Sequence, residues 1–214
     1  TRSLIVTGVQ TCALPISISW GRWKTIAEQS ASINLDTLSA EGYRMAALTG
    51  DFALLRHQNA SWQAPTGSDL APARPFTAAD WDQWLAFELA ERDPAHSEER
   101  YLPYLLSRRQ LYQAMIDDGL GQWWGLWHQD QLVASCGLFF TGTLGRFQLV
   151  RTHAEWRNRG LCRLLLSQVA RQGLARASSL IIVADEHYHA QRVYRTLGFV
   201  PVARIGSLCR WPRE

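Results

Sequence analysis

No run of apolar residues in this chain approaches the roughly 18 that a membrane-spanning helix needs, so no membrane span is expected. Cysteine is scarce: Cys12, Cys136, Cys162 and Cys209 are the only four. Their wide spacing argues against a disulfide framework or a zinc site. Cys136, Cys162 and Cys209, in apolar or turn contexts, read as buried free thiols, which favours a cytoplasmic location. Neither sign of charge dominates. A net charge of +3, from 22 basic and 19 acidic residues, is too mild for a nucleic-acid-binding surface, so no such partner is expected. No internal repeat is visible. What the chain does have is 47% hydrophobic residues, enough for a globular core.

The beginning of the chain stands apart. Val6 to Ser17 resembles the frame translation of a common sequencing-adapter oligonucleotide. One arginine, interspersed polar residues and Pro15 do not make a signal peptide. Residues 1–17 are therefore expected to be foreign to the fold, with the natural N-terminus missing. Ser17 to Gln63 shows no clean period, and residues 18–72 read as a linker or the remnant of a preceding lobe, with a helix-then-strand pattern from Thr37 to Leu55. Breakers from Ala64 to Pro72 close that region, and residues 73–214 form the main domain.

Within that domain, Ala73 to Phe76 reads as a short strand. Thr77 stands as N-cap three residues before Asp80, ahead of a helix with Trp81, Trp84, Leu85 and Leu89 on one face. A second helix runs from about Glu99 to Asp118 with Tyr101, Tyr104, Leu105, Leu111, Tyr112 and Met115 on one side. Gln122 to His128 and Gln131 to Phe140 are strands around a turn at Gln129-Asp130, and a turn at Thr141 to Gly145 leads into the strand Arg146 to Arg151. Trp123, Trp124 and Trp127 read as core and strand-face packing more than as a substrate wall. Leu161, Leu164, Leu165 and Val169 mark a helix. Leu180 to Ala184 is a strand, Ala190 to Leu197 a helix ended by Gly198, and Phe199 to Val202 the start of a last strand. The order is β-α-α-β-β-β-α-β-α-β, which implies an α/β sheet of mixed direction.

The most informative stretch is the connection from the strand ending at Arg151 to the helix opening at Leu161. A strand feeding a helix through a basic, glycine-containing turn presents backbone N–H groups and the positive end of a helix dipole at one point, with Arg157 and Arg159 beside them. That combination suits a phosphate or pyrophosphate. Arg157-Asn158-Arg159-Gly160-Leu161-Cys162 resembles motif A of the GCN5-related N-acetyltransferases (the GNAT superfamily), with Cys162 where the family has Gly or Ala. Downstream, Ala190, Tyr194, Gly198 and Phe199 have the spacing of the family's motif B, with His187 where an Asn is common. The resemblance covers Arg74 to Glu214.

The resemblance implies a GNAT fold, a mixed and mostly antiparallel sheet flanked by helices, and acetyl-CoA as acetyl donor. It implies that Arg157, Asn158, Arg159, Gly160, Leu161 and Cys162 hold the pyrophosphate. The pantetheine arm would pair with Leu149, Val150 and Arg151, and His187 would lie near the cofactor. A backbone N–H at Val150 or Arg151 would polarise the thioester carbonyl. Tyr194 matches the tyrosine that protonates the leaving thiolate in many members, and its alternative role is a core residue. His153, Glu155, Asp185, Glu186 and His187 are all candidates for a base. His187 and His189 alone make a weak metal site, and no metal is expected.

The expected activity is N-acetyltransfer to a primary amine on a small molecule or peptide, and a homodimer is compatible with it. The alternative is a GNAT-fold module that holds acyl-CoA without turnover. A dinucleotide-binding fold is disfavoured, because its glycine turn follows the first strand and carries further glycines.

Overall fold

The computed structural model describes residues 4–11, 52–57, 72–94, 96–185 and 190–210. In chain order the first elements are β1 (Leu4–Thr11), β2 (Phe52–His57), β3 (Arg74–Pro75), α1 (Asp80–Ala90), α2 (Glu98–Asp117), β4 (Gly121–His128) and β5 (Gln131–Thr141). There follow β6 (Leu144–Thr152), a 3-10 turn at Ala154–Trp156, α3 (Leu161–Arg176), β7 (Ser179–Asp185), α4 (Ala190–Thr196) and β8 (Val200–Arg210). From Arg74 onward the order is the expected one.

The chain divides into two compact units. One gathers residues 1–55, 183–192 and 201–214, and in it β1 runs parallel to β8, with Leu4 opposite Arg204 and Thr11 opposite Arg210. The adapter-like segment thus lies in part on β1, and otherwise outside the described residues. Of the stretch from Ser17 to Leu55, the described residues include only the start of β2.

The other unit, residues 56–182 and 193–200, holds the strands in the order β3-β4-β5-β6-β7. All pairs are antiparallel except β6 with β7. The β4–β5 turn is the expected two-residue one: Gln129 and Asp130 have φ of 46° and 65°, the mirror-image geometry whose twist matches that of the flanking strands.

The start of α1 reverses the expected cap. Ala79 occupies the N-cap position with no side-chain bond. Thr77 instead donates from its N–H (2.6 Å) and its hydroxyl (2.8 Å) to Asp80 Oδ2. Arg74 reaches both oxygens of that carboxylate, at 2.7 and 2.8 Å, and its guanidinium lies 3.6 Å over the Trp127 ring. Arg74 and Thr77 together hold the Asp80 carboxyl well below the usual carboxylate range.

Helix α3 buries Leu161, Leu165, Leu166, Val169, Ala170 and Gly173, one stripe at helical spacing. Leu164, expected on it, is only half-buried, and Leu166 takes its place. The core beneath α1 and α2 is aromatic. Trp84 and Trp123 are fully buried, edge to face at 5.6 Å, and Tyr112 lies 4.6 Å from Trp123 and 5.8 Å from Phe139. Gly137 makes room for this: a Cβ there would come within 2.7 Å of the Trp123 and Phe139 rings. Of the three tryptophans on β4, Trp123 is core, and Trp124 and Trp127 are half-buried.

The indole N–H of Trp84 has no hydrogen-bond partner, so this residue contributes through its rings. Trp84→Ala is expected to lower unfolding free energy by about 3–5 kcal/mol in urea titration. Trp84→Phe should lose clearly less, because the unsatisfied donor leaves with the second ring. Equal losses would mean that the N–H is partnered after all.

Candidate active site

Strand β6 is shared unequally. It pairs with β5 from Leu144 to Thr152, but with β7 only through Leu144, Gly145 and Arg146, opposite Ser179, Leu180 and Ile181. Beyond Arg146 the β7-facing edge of β6 has no ladder partner among the described pairings. The β5 side has its own irregularity. Ser135 faces Arg151 and Gly137 faces Gln148, so Cys136 alone stands against Leu149 and Val150. This is a β-bulge, and Leu149 carries it at φ 42°, a conformation that costs a non-glycine residue about 1 kcal/mol. The three strand residues singled out in the sequence, Leu149, Val150 and Arg151, are therefore the bulge and the residue after it.

Six residues further on comes the turn. Arg157 is extended, Asn158 has φ 60°, and Gly160 has φ 77° and stands at the N-cap of α3 with no side-chain bond to the helix. A Cβ on Gly160 would meet nothing within 4 Å, so the left-handed backbone, and not crowding, calls for glycine there. The first N–H groups of α3, at Leu161, Cys162 and Arg163, have no intrahelical acceptor. They form the positive end of a helix of 16 residues. Leu161 sends its side chain into the core. Cys162 is half-buried and free, and burial pushes its thiol up to about 11. It is a neutral thiol, and Cys136 is likewise a free, buried one.

The two arginines of the turn differ. The Arg159 guanidinium lies 4.7 Å over the Trp156 ring, and the Trp156 ring packs 4.5 Å from His128. Arg157 is turned away to Glu91: Nη2 pairs with Glu91 Oε2, and Nε donates to the Thr152 carbonyl at 3.2 Å. The fixed charge expected from Arg157 is thus already matched by a carboxylate.

Two acidic residues that the sequence reading passed over close this end of the site. Glu91, the C-cap of α1, accepts the Ala154 N–H on Oε1 at 2.6 Å, and its backbone carbonyl accepts from Arg151 Nη1. Glu88, one turn earlier, has a side chain 0% exposed, 3.1 Å from Arg151 Nε. That contact lacks hydrogen-bonding direction, and neither Glu88 oxygen has a hydrogen-bond partner. Loss of solvation raises the Glu88 carboxyl to about 7, against the pull of Arg151 and with a smaller push from Glu91.

Tyr194 is 6% exposed. Its ring lies 6.4 Å from Phe199, which lies 6.0 Å from Phe147 at the start of the unpaired stretch of β6. His153 Nδ1 accepts the Glu155 N–H at 3.3 Å, and its ring packs against Phe87. Glu186, His187 and His189 lie outside the described residues, as does the side chain of Asp185. No described helix is long and apolar enough to cross a membrane.

A family model described as "Acetyltransferase (GNAT) domain" matches residues 91–207, more than half of the chain. No curated protein matches. Among solved structures, the chain is similar to a putative GNAT-family acetyltransferase from Novosphingobium aromaticivorans, at 19% identity and TM-score 0.55, over 76% of this chain and 64% of that one. It is also similar to a GCN5-related N-acetyltransferase from Sphaerobacter thermophilus, at 22% identity and TM-score 0.57, over 79% and 53%. A conserved protein of unknown function from Staphylococcus epidermidis matches at 16% and TM-score 0.60, over 79% and 63%. Each match spans less than two thirds of the other chain. At these identities the likeness concerns the fold.

The raised Glu88 carboxyl has a definite sign. Its folded value, about 7, exceeds its unfolded value of 4.5. Its contribution to stability is therefore complete below pH 4.5 and lost as pH rises through 7. Glu88→Gln removes that titration. Between pH 4.5 and pH 8 the unfolding free energy of the variant should rise relative to the parent by on the order of 3 kcal/mol. Parallel stability profiles in urea titration would mean that Glu88 stays ionised throughout.

Proposed function

The chain belongs to the GNAT acetyltransferase family, and we propose that it moves an acetyl group from acetyl-CoA to a primary amine of a small molecule or peptide. The observation that carries this reading is the end of β6. There a strand edge left open beyond Arg146, a bulge at Leu149 and Val150, and the uncapped N-terminus of α3 follow one another within a short stretch of chain. An amide-bearing pantetheine arm suits an open strand edge, because it offers the donors and acceptors that such an edge lacks. A pyrophosphate suits helix N–H groups flanked by Arg159. The residues present therefore fit the donor.

In this reading Asn158 to Cys162 hold the pyrophosphate through backbone N–H groups, and Arg159, kept in place by Trp156, supplies the free positive charge. A backbone N–H of Val150 or Arg151 stabilises negative charge on the thioester oxygen. The neutral amine attacks the thioester carbon, the C–S bond breaks, and Tyr194 gives its proton to the departing sulfur. The proton lost by the amine passes to water. Residues 73–214 form the working domain. A cytoplasmic setting and a homodimer accord with the same proposal.

Mass spectrometry after incubation with acetyl-CoA and a mixed amine library tests the activity directly. Acetylated products with release of free thiol are expected. Acetyl-CoA binding without either would leave a binding module in place of an enzyme.

Gly160→Glu should abolish acetyl-CoA binding in calorimetry. The left-handed backbone is strained by about 1 kcal/mol when a side chain is added, and the new carboxylate repels the pyrophosphate. Parent-like affinity in a folded variant would remove the pyrophosphate from this turn.

Tyr194→Phe keeps the ring and its packing and deletes the hydroxyl. Turnover should fall about 10²-fold while acetyl-CoA Kd stays nearly constant, as befits a group that acts in the transition state. Turnover within about twofold of the parent would leave Tyr194 a packing residue.

A further inference from the structure

We propose that Glu91 is a positioning residue that holds the pyrophosphate turn in its binding shape, and that Arg157 acts by pairing with Glu91 and not by touching the phosphates. The proposal rests on the acetyl-CoA reading above and names how that site is kept in order.

Three acceptors of one residue take three donors from the connection between β6 and α3. Glu91 Oε1 takes the Ala154 N–H, Oε2 takes Arg157 Nη2, and the backbone carbonyl takes Arg151 Nη1. The Glu91 side chain is 5% exposed and the Arg157 side chain 49%, so the acid is the anchored partner and the arginine comes to it. Arg157 is fixed on a second edge as well, because its Nε donates to the Thr152 carbonyl. The segment from Thr152 to Arg157 is thereby closed on itself and tied to the end of α1. The next residues are Asn158 and Gly160, both left-handed, which lead directly to the free N–H groups of α3. Fixing Arg157 fixes the start of that turn, and so the direction of its donors.

The charges agree. Arg157 has its counter-charge in Glu91. Arg159, stacked on Trp156, has no carboxylate within ion-pairing distance among the described residues. Arg159 is thus a cation available to an anion at this turn.

The two roles for Arg157 differ in the sign of one measurement. If Glu91 positions the turn, Glu91→Gln loosens it and acetyl-CoA binds more weakly. If Arg157 is a phosphate ligand that Glu91 merely restrains, the same change frees the arginine and binding tightens. Calorimetry with acetyl-CoA on the parent, Glu91→Gln, Arg157→Gln and the double variant reads this out. Each single variant should weaken binding about tenfold, the scale of one lost charge-assisted contact, and the double variant should be no weaker than either within about twofold.

Tighter binding by Glu91→Gln, parent-like affinity in both single variants, or two losses that multiply would each overturn the proposal. A second measurement covers the case in which Glu91→Gln melts below the assay temperature. Arg157→Gln should leave the salt dependence of acetyl-CoA affinity unchanged, whereas loss of a direct phosphate contact would flatten it. Absence of acetyl-CoA binding by the parent would refute the parent reading of the site, which is a different result from any of these.

Discussion

The unequal sharing of β6 governs the rest of the molecule that concerns function. One edge of the strand is bound to β5 from Leu144 to Thr152 except at the bulge, and the other is bound to β7 through only three residues among the described pairings. A strand held on one side only is a place where an extended ligand can add itself as a further partner. It is also a liability, since an open edge invites pairing with anything extended. Aromatic rings pack beside this strand: Phe147 at the start of the open stretch meets Phe199, while Phe139 on β5 packs under Tyr112.

The carboxylates at the end of α1 give the same site a second wall. Glu88 and Glu91 are three residues apart and share a helix face. One stands against Arg151 beside the bulge, and the other grips the turn six residues later. They differ in how well they are satisfied. Glu91 has a donor on each oxygen, whereas Glu88 has a nearby charge and no aligned donor. That difference explains why burial raises Glu88 to about 7.

The element order and the glycine turn ahead of α3 could be read in the sequence because each rests on local chemistry. Gln129-Asp130 between two alternating runs can only be a tight turn, and Gly198 after a helical pattern takes the left-handed position of a cap, at φ 89°. The bulge could not be read, since Leu149 is a residue with no preference for φ 42°; the register of β5 imposes it. Thr77 and Asp80 were legible as a pair but not in their roles, because either can accept, and Arg74 from outside the motif decides that the carboxylate does. The two glutamates were missed because acidic residues late in a helix read as solvated. A signal was there: Trp81, Trp84, Glu88 and Glu91 continue one helical stripe, so the face that begins in the core ends in carboxylates.

That mixed stripe makes α1 a beam fastened at both ends, by Arg74 on Asp80 at its start and by the β6–α3 connection on Glu91 at its finish. A molecule that binds against α1 and shifts its last turn does work on the turn between β6 and α3. By thermodynamic linkage, whatever factor such a molecule imposed on the affinity of an anion held at that turn, the anion would impose on it in return.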